Sequence, residues 1–226
     1  MNGIRFETED GITLEAELRL PDGAPRGSAV ICHPHPRQGG SKDHPLLWAI
    51  RNELAGRGLV VLSFNFRGVM GSDGDYGGGI AELMDVRAAI DRVRSEAGAP
   101  TVLCGWSFGA HVALREALHD QRVDALALIG LPLSESSLSL PDLAPLPELP
   151  SRQELKAFER PVLLLAGQAD PFCPLPELAA LARRLPNATV EIIEGTDHFF
   201  WKRERKVARV VGAFASRALM NEEEDG

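Results

Sequence analysis

The chain has 226 residues, enough for one α/β domain with a sizeable core, and its 24 basic and 32 acidic side chains leave a formal charge of −8. That balance argues against nucleic acid or an anionic membrane surface as the main partner, and no run approaches the ~18 apolar residues of a membrane helix. Cys32, Cys104 and Cys173 are odd in number and widely spaced, which argues against a disulfide framework or a zinc site, and Met1 to Glu7 lack the apolar core of a signal peptide, so a cytoplasmic, reduced setting is expected.

In chain order, Gly11 to Leu20 alternates polar and apolar residues, as a half-exposed strand does. Ala29 to Cys32 and Leu59 to Phe64 are continuous apolar runs, the pattern of parallel strands covered on both faces. Between them Pro45 to Arg57 carries Leu46, Leu47, Ile50 and Leu54 at helical spacing, and a second helix is predicted from Ile80 to Ala97. Thr101 to Cys104, Ala125 to Ile129 and Val162 to Ala166 are further buried strands, with helical composition from Ala110 to Leu118. A short helix is expected over Leu178 to Leu185, a last strand over Thr189 to Ile193, and a closing helix over Lys202 to Met220. Asn221 to Gly226 reads as an acidic, solvated tail. Strands alternating with helices predict a mostly parallel sheet with helices on both faces.

One segment breaks the rhythm. Leu131 to Pro150 holds five prolines, and its serines and leucines are scattered. It reads either as a surface connection or as a short lid over a pocket.

Gly105-Trp106-Ser107-Phe108-Gly109 lies between a strand and a helix, the context that turns a weak G-x-S-x-G pattern into a nucleophile elbow. A serine on a sharp turn needs strained backbone angles, and flanking glycines remove Cβ atoms that would clash. A serine hydroxyl also needs an imidazole to take its proton and a carboxylate to orient that imidazole. Of the histidines, His198 follows the last strand in a loop and is the expected base. His111 lies one turn further along the elbow helix, His119 ends that helix, His44 precedes Pro45 at a helix start, and His33 and His35 follow a strand.

Asp170 leaves the strand ending at Ala166 and is the expected carboxylate; its rival Asp197 adjoins the base and should point away from its ring. The order Ser107, Asp170, His198 is that of the elbow motif. Backbone N–H groups of Phe108 and of the loop after Cys32 are the expected oxyanion donors. Pro34 and Pro36 lack an N–H, which leaves His35 and Arg37, with His35 closer to the strand end. The His33 and His35 side chains are expected only to pack, and no third ligand for a metal is apparent nearby.

Taken with His33-Pro34-His35-Pro36, Gly39-Gly40, Asn65-Phe66-Arg67-Gly68, Gly167-Gln168-Ala169-Asp170 and Asp197-His198-Phe199, the chain resembles the α/β-hydrolase superfamily. Within it, the chain is most similar to small, nearly lidless bacterial members related to dienelactone hydrolases. The resemblance runs from about Ile12 to the closing helix and implies a single-domain α/β-hydrolase fold over 1–220 and a Ser107–Asp170–His198 triad. It also implies acyl-transfer hydrolysis, without identifying a substrate. The expected function is hydrolysis of a small or medium ester through an acyl-enzyme, with no cofactor, no metal and a possible homodimer. Dienelactone hydrolases proper carry cysteine where this chain has Ser107, so their substrate is not implied. Arg67 and Gly68 are expected to brace a loop beneath the site. The alternatives are a thioesterase, an amidase or peptidase with the same triad, and a non-catalytic binding protein of the same fold.

Overall fold

The computed structural model describes residues 2–98, 100–134 and 145–220. The acidic tail and the middle of the proline-rich segment, 135–144, lie outside the described residues. Eight strands form one sheet in the order β1-β2-β4-β3-β5-β6-β7-β8. These are β1 (Asn2–Glu7), β2 (Thr13–Arg19), β3 (Gly27–Cys32), β4 (Leu59–Phe64), β5 (Thr101–Trp106), β6 (Ala125–Ile129), β7 (Val162–Gly167) and β8 (Ala188–Ile193). β2 runs antiparallel to both β1 and β4, and β3 to β8 are parallel throughout. Strands β3, β4, β5, β6 and β7 are buried along their whole length, which is why each reads as an unbroken apolar run.

Helices cover both faces. On one side lie α1 (Pro45–Gly56) and α6 (Glu204–Met220), with Leu46, Ile50, Leu54, Val207 and Val211 packed on Ile31, Val61 and Cys104. On the other lie α2 (Glu82–Ala97), α3 (Phe108–His119), the short α4 (Arg152–Ala157) and α5 (Leu175–Ala182). Burial of each leucine or isoleucine in these layers contributes about 1.5–3 kcal/mol. Local signals set the helix starts. Pro45 occupies the first turn of α1 while the His44 ring accepts the Leu46 N–H at 3.2 Å. Ser151 and Glu154 close a capping box on α4.

Three elements differ from the sequence expectation beyond small shifts at their ends, the first being the short α4, which was not expected. β1 went unpredicted because its alternation rests on Ile4 and Phe6 alone; Phe6 gains its place by packing edge-on against Phe64, a contact 58 positions away in the chain. The helix expected over Leu178 to Leu185 instead spans Leu175–Ala182. Pro176 sits in its first turn, where no N–H is required, so the proline is compatible with the earlier start.

Candidate active site

The loops that leave the carboxyl ends of β3, β5, β6, β7 and β8 meet at one edge of the sheet. β5 ends in the elbow. Ser107 has φ 56° and ψ −120°, a conformation that costs a non-glycine residue on the order of 1–3 kcal/mol. The turn is over-determined by packing on both sides. A Cβ on Gly105 would lie 2.3 Å from the carbonyl oxygen of Gly109, and one on Gly109 would lie 2.4 Å from that of Cys32. Only bare backbone fits there, and it presses α3 onto β3 with the serine at the top of the turn.

The expected partners converge on Ser107. The Ser107 hydroxyl and His198 Nε2 are 2.9 Å apart, and His198 Nδ1 lies 2.8 Å from Asp170 Oδ2. The other Asp170 oxygen accepts the N–H groups of Phe172 and Cys173 at 2.9 and 3.1 Å, which leaves the carboxylate acting as acceptor on both sides. His198 Nδ1 must therefore carry the proton that points at Asp170, and Nε2 is free to accept from the serine. The Trp106 indole N–H donates to the His198 carbonyl at 3.2 Å and ties the β8 loop to the elbow. Asp197 is exposed and accepts the Phe199 N–H at 3.0 Å, turned away from the ring as expected.

Sequence reasoning did not single out Gly130, at the end of β6. It has φ 53°, and a Cβ there would lie 3.0 Å from His198 Cε1 and 3.3 Å from Asp170 Oδ2. The signal was available as a glycine at the end of a buried strand.

His33 and His35 do more than pack, which corrects the sequence expectation. His33 is fully buried; its Nε2 accepts the Phe66 N–H at 3.0 Å, so Nδ1 carries the proton and donates to the Pro34 carbonyl at 2.6 Å. In His35 the tautomer is reversed. Nδ1 accepts the Arg37 N–H at 3.1 Å, and Nε2–H donates to the Tyr76 hydroxyl at 3.1 Å. Burial lowers the pKa of both rings to about 4, with the nearby Arg37 charge adding to the effect at His35, so both are neutral near pH 7. The two rings clamp the loop and leave its backbone facing the serine. Among the described residues, neither the His35 N–H nor the Phe108 N–H donates to another protein group.

The remaining histidines are apart from this chemistry. His44 caps α1 and packs at a tilt against Trp106, ring centroids 4.5 Å apart. His111 is fully buried, neither of its ring nitrogens has a partner among the described residues, and burial lowers its pKa to about 4. Beneath the site Arg67 braces the loop after β4, as expected, by donating to Asp85 and Asp10.

Ser107 and His198 open into a cavity of about 210 Å³. Its walls include Trp106 at the end of β5, Phe172 in the loop after β7, and Phe199 and Trp201 in the loop after β8, none of which was read as a cavity wall from the sequence. Pro132 and Leu146, on either side of the undescribed 135–144 stretch, also line it. Among the described residues no group of His, Cys, Asp or Glu side chains is arranged to hold a metal ion, and no helix is long and apolar enough to cross a membrane.

Comparison with known proteins places this geometry. An uncharacterized protein of Rickettsia prowazekii, RP471, is 26% identical over 195 residues, covering 82% of this chain and 77% of the relative. The solved structure of XC6422 from Xanthomonas campestris, described as an α/β serine hydrolase without lid, superimposes with a TM-score of 0.80 at 24% identity, covering 98% of this chain and 96% of that one. The esterase Pf2001 of Pyrococcus furiosus superimposes with a TM-score of 0.80 at 19% identity, over 96% and 92% of the two chains. At these identities the two structures share the fold. The model of the alpha/beta hydrolase domain family matches residues 28–218, from the start of β3 almost to the end of α6, and the chain therefore belongs to that family.

Proposed function

We propose that the chain is a serine hydrolase that cleaves a carboxylic ester through an acyl-enzyme. The observation that carries this reading is the hydrogen-bonded series Ser107–His198–Asp170 at the mouth of the 210 Å³ cavity. Ser107 Oγ attacks the acyl carbon as its proton passes to His198 Nε2. Asp170 holds the ring in the tautomer that can accept and stabilises the imidazolium that forms. The proton then goes to the departing alkoxide, and water repeats the path to release the acid.

Negative charge on the carbonyl oxygen falls beside the start of α3, where the Phe108 N–H and the His35 N–H are the donors assigned to it. The esterase and serine-hydrolase neighbours support this reading through their fold, and the cavity size favours an acyl group of small or medium length. A fluorophosphonate probe tests it directly. Labelling of the wild-type chain, lost in Ser107→Ala, supports the enzyme; an unlabelled wild-type chain would make the fold a binding scaffold.

A further inference from the structure

A second depression among the described residues lies away from Ser107. It is a groove of about 870 Å³ along α1 and α6, with Arg19 at the end of β2 contributing to it. The two helices run side by side in the same direction, since Arg57, just past the end of α1, donates to Ser216 near the end of α6 at 3.2 Å. The groove is unusually cationic for an acidic chain. Arg19, Arg57, Arg205 and Arg209 line it against one carboxylate, Glu53, which Arg57 already engages at 2.8 Å.

Among the described residues, Arg19 and Arg205 have no side-chain hydrogen bond or ion-pair partner, and Arg209 reaches only the Arg205 carbonyl at 3.4 Å. Arg19 Nε is shielded from solvent, and one further donor, Asn52 Nδ2, is likewise shielded and unpartnered. Beside them Trp48 leaves 52% of its surface exposed. Guanidinium forks with open donors suit phosphate oxygens, and an exposed indole suits a planar base.

The groove and the cavity are lined by neighbouring stretches of the chain. His44 and Trp201, whose rings lie 5.8 Å apart, both line the cavity. Trp48 lies one helical turn beyond His44, its N–H donating to the His44 carbonyl at 3.0 Å, and Arg205 lies four residues beyond Trp201. A turn is about 5.4 Å, so a ligand leaving Ser107 past His44 reaches Trp48 about one turn on, and a longer flexible arm is needed to reach Arg57 at the far end of the 12-residue α1.

We infer that the groove seats the phosphorylated, base-bearing end of the substrate's leaving group, so that the natural substrate is the acyl thioester of a nucleotide-bearing carrier thiol. The inference rests on the hydrolase reading and names its substrate class. The step balances as for an ester. The Ser107 oxygen–acyl bond forms and the C–S bond breaks. The serine proton passes through His198 to the thiolate, and water then supplies the hydroxyl of the released acid.

The test compares butyryl-coenzyme A with p-nitrophenyl butyrate in the wild-type chain and in the triple variant Arg19→Ala, Arg205→Ala, Arg209→Ala. The expected result is a KM for the thioester raised about tenfold or more, with kcat retained and the p-nitrophenyl ester unaffected. Trp48→Ala should act in the same direction. Adenosine 3′,5′-bisphosphate should bind by calorimetry, compete with the thioester and lose affinity in the triple variant. No bisphosphate binding, binding without competition, or an equal change for both substrates would overturn the assignment. Failure of the wild-type chain to turn over either substrate would overturn the hydrolase reading instead, and the bisphosphate titration separates the two because it needs no turnover.

Discussion

Two sets of loops reach Ser107, and they use the same residue type in opposite ways. The loops after β7 and β8 present side chains: Asp170 and His198 line up on the serine, the Asp170 carboxylate held by the Phe172 and Cys173 amides and the His198 carbonyl by the Trp106 indole. The loop after β3 presents backbone: His33 and His35 turn their rings inward onto Pro34, Phe66, Arg37 and Tyr76 and leave an amide at the edge. A histidine near a nucleophile is thus not a candidate base by proximity. What separates the two is whether the acceptor nitrogen is already occupied.

The largest effect that could break this contrast is at the side-chain end. Ser107→Ala and His198→Ala should each lower kcat on p-nitrophenyl butyrate by about ten-thousand-fold or more, and the double variant should lose little beyond either single one. Asp170→Asn should cost about a thousand-fold or more, whereas Asp197→Asn should stay within about threefold. Equal losses at the two aspartates would reverse the roles given to them.

The buried rings are expected to show in acid stability. His33 and His111 have folded-state pKa values lowered by burial to about 4, below the ordinary value near 6.5. Above about pH 6.5 both rings are neutral whether the chain is folded or not. Between about 6.5 and 4 only the unfolded chain takes up protons, so stability falls as pH falls, by about 3 kcal/mol for each ring at the lower limit. Urea unfolding at pH 7.5, 6.0 and 4.5 should follow that slope, and His111→Phe should flatten it. A slope unchanged in that variant would remove His111 from the account.

A smaller effect is expected at Gly130. A methyl group beside His198 Cε1 at 3.0 Å, on a residue with positive φ, should displace the ring. Gly130→Ala should lower kcat by roughly ten- to a hundred-fold with KM little changed. Wild-type turnover in that variant would show that the imidazole tolerates movement.

Least affected should be Tyr76→Phe, which removes one acceptor from the His35 ring and keeps the aromatic contact with Phe108. A loss of about 1 kcal/mol in unfolding free energy and a change in kcat of a fewfold are expected. A drop comparable to that of Ser107→Ala would mean that the His35 ring itself takes part in the chemistry.

The sheet was legible because its central strands are buried on both faces and cannot hide: Leu59 to Phe64 and Ala125 to Ile129 were bounded correctly from composition alone. The partners of Ser107 were legible for a topological reason, since a residue just past a parallel strand must lie at that strand's carboxyl end. Trp106, Phe172 and Trp201 were not read as cavity walls, because their meeting depends on how far each loop leans. Gly130 was not read either, because its constraint is a neighbour 68 positions away. The roles of the His33 and His35 rings were invisible for a related reason. Their tautomers are set by Phe66 and Tyr76, which reach them only through the fold.

The close approach of Gly109 to the Cys32 carbonyl has a consequence for how such a protein can diversify. Gly109, next to Phe108, and the strand that leads to His35 meet through bare backbone, so the spacing of the Phe108 and His35 amides is inherited from main-chain contact rather than from the side chains around it. Changes at Phe172, Phe199 or Trp201 alter what the cavity admits without touching that spacing. Selection for a new substrate can therefore act on the walls one residue at a time, while the reacting centre remains a fixed inheritance.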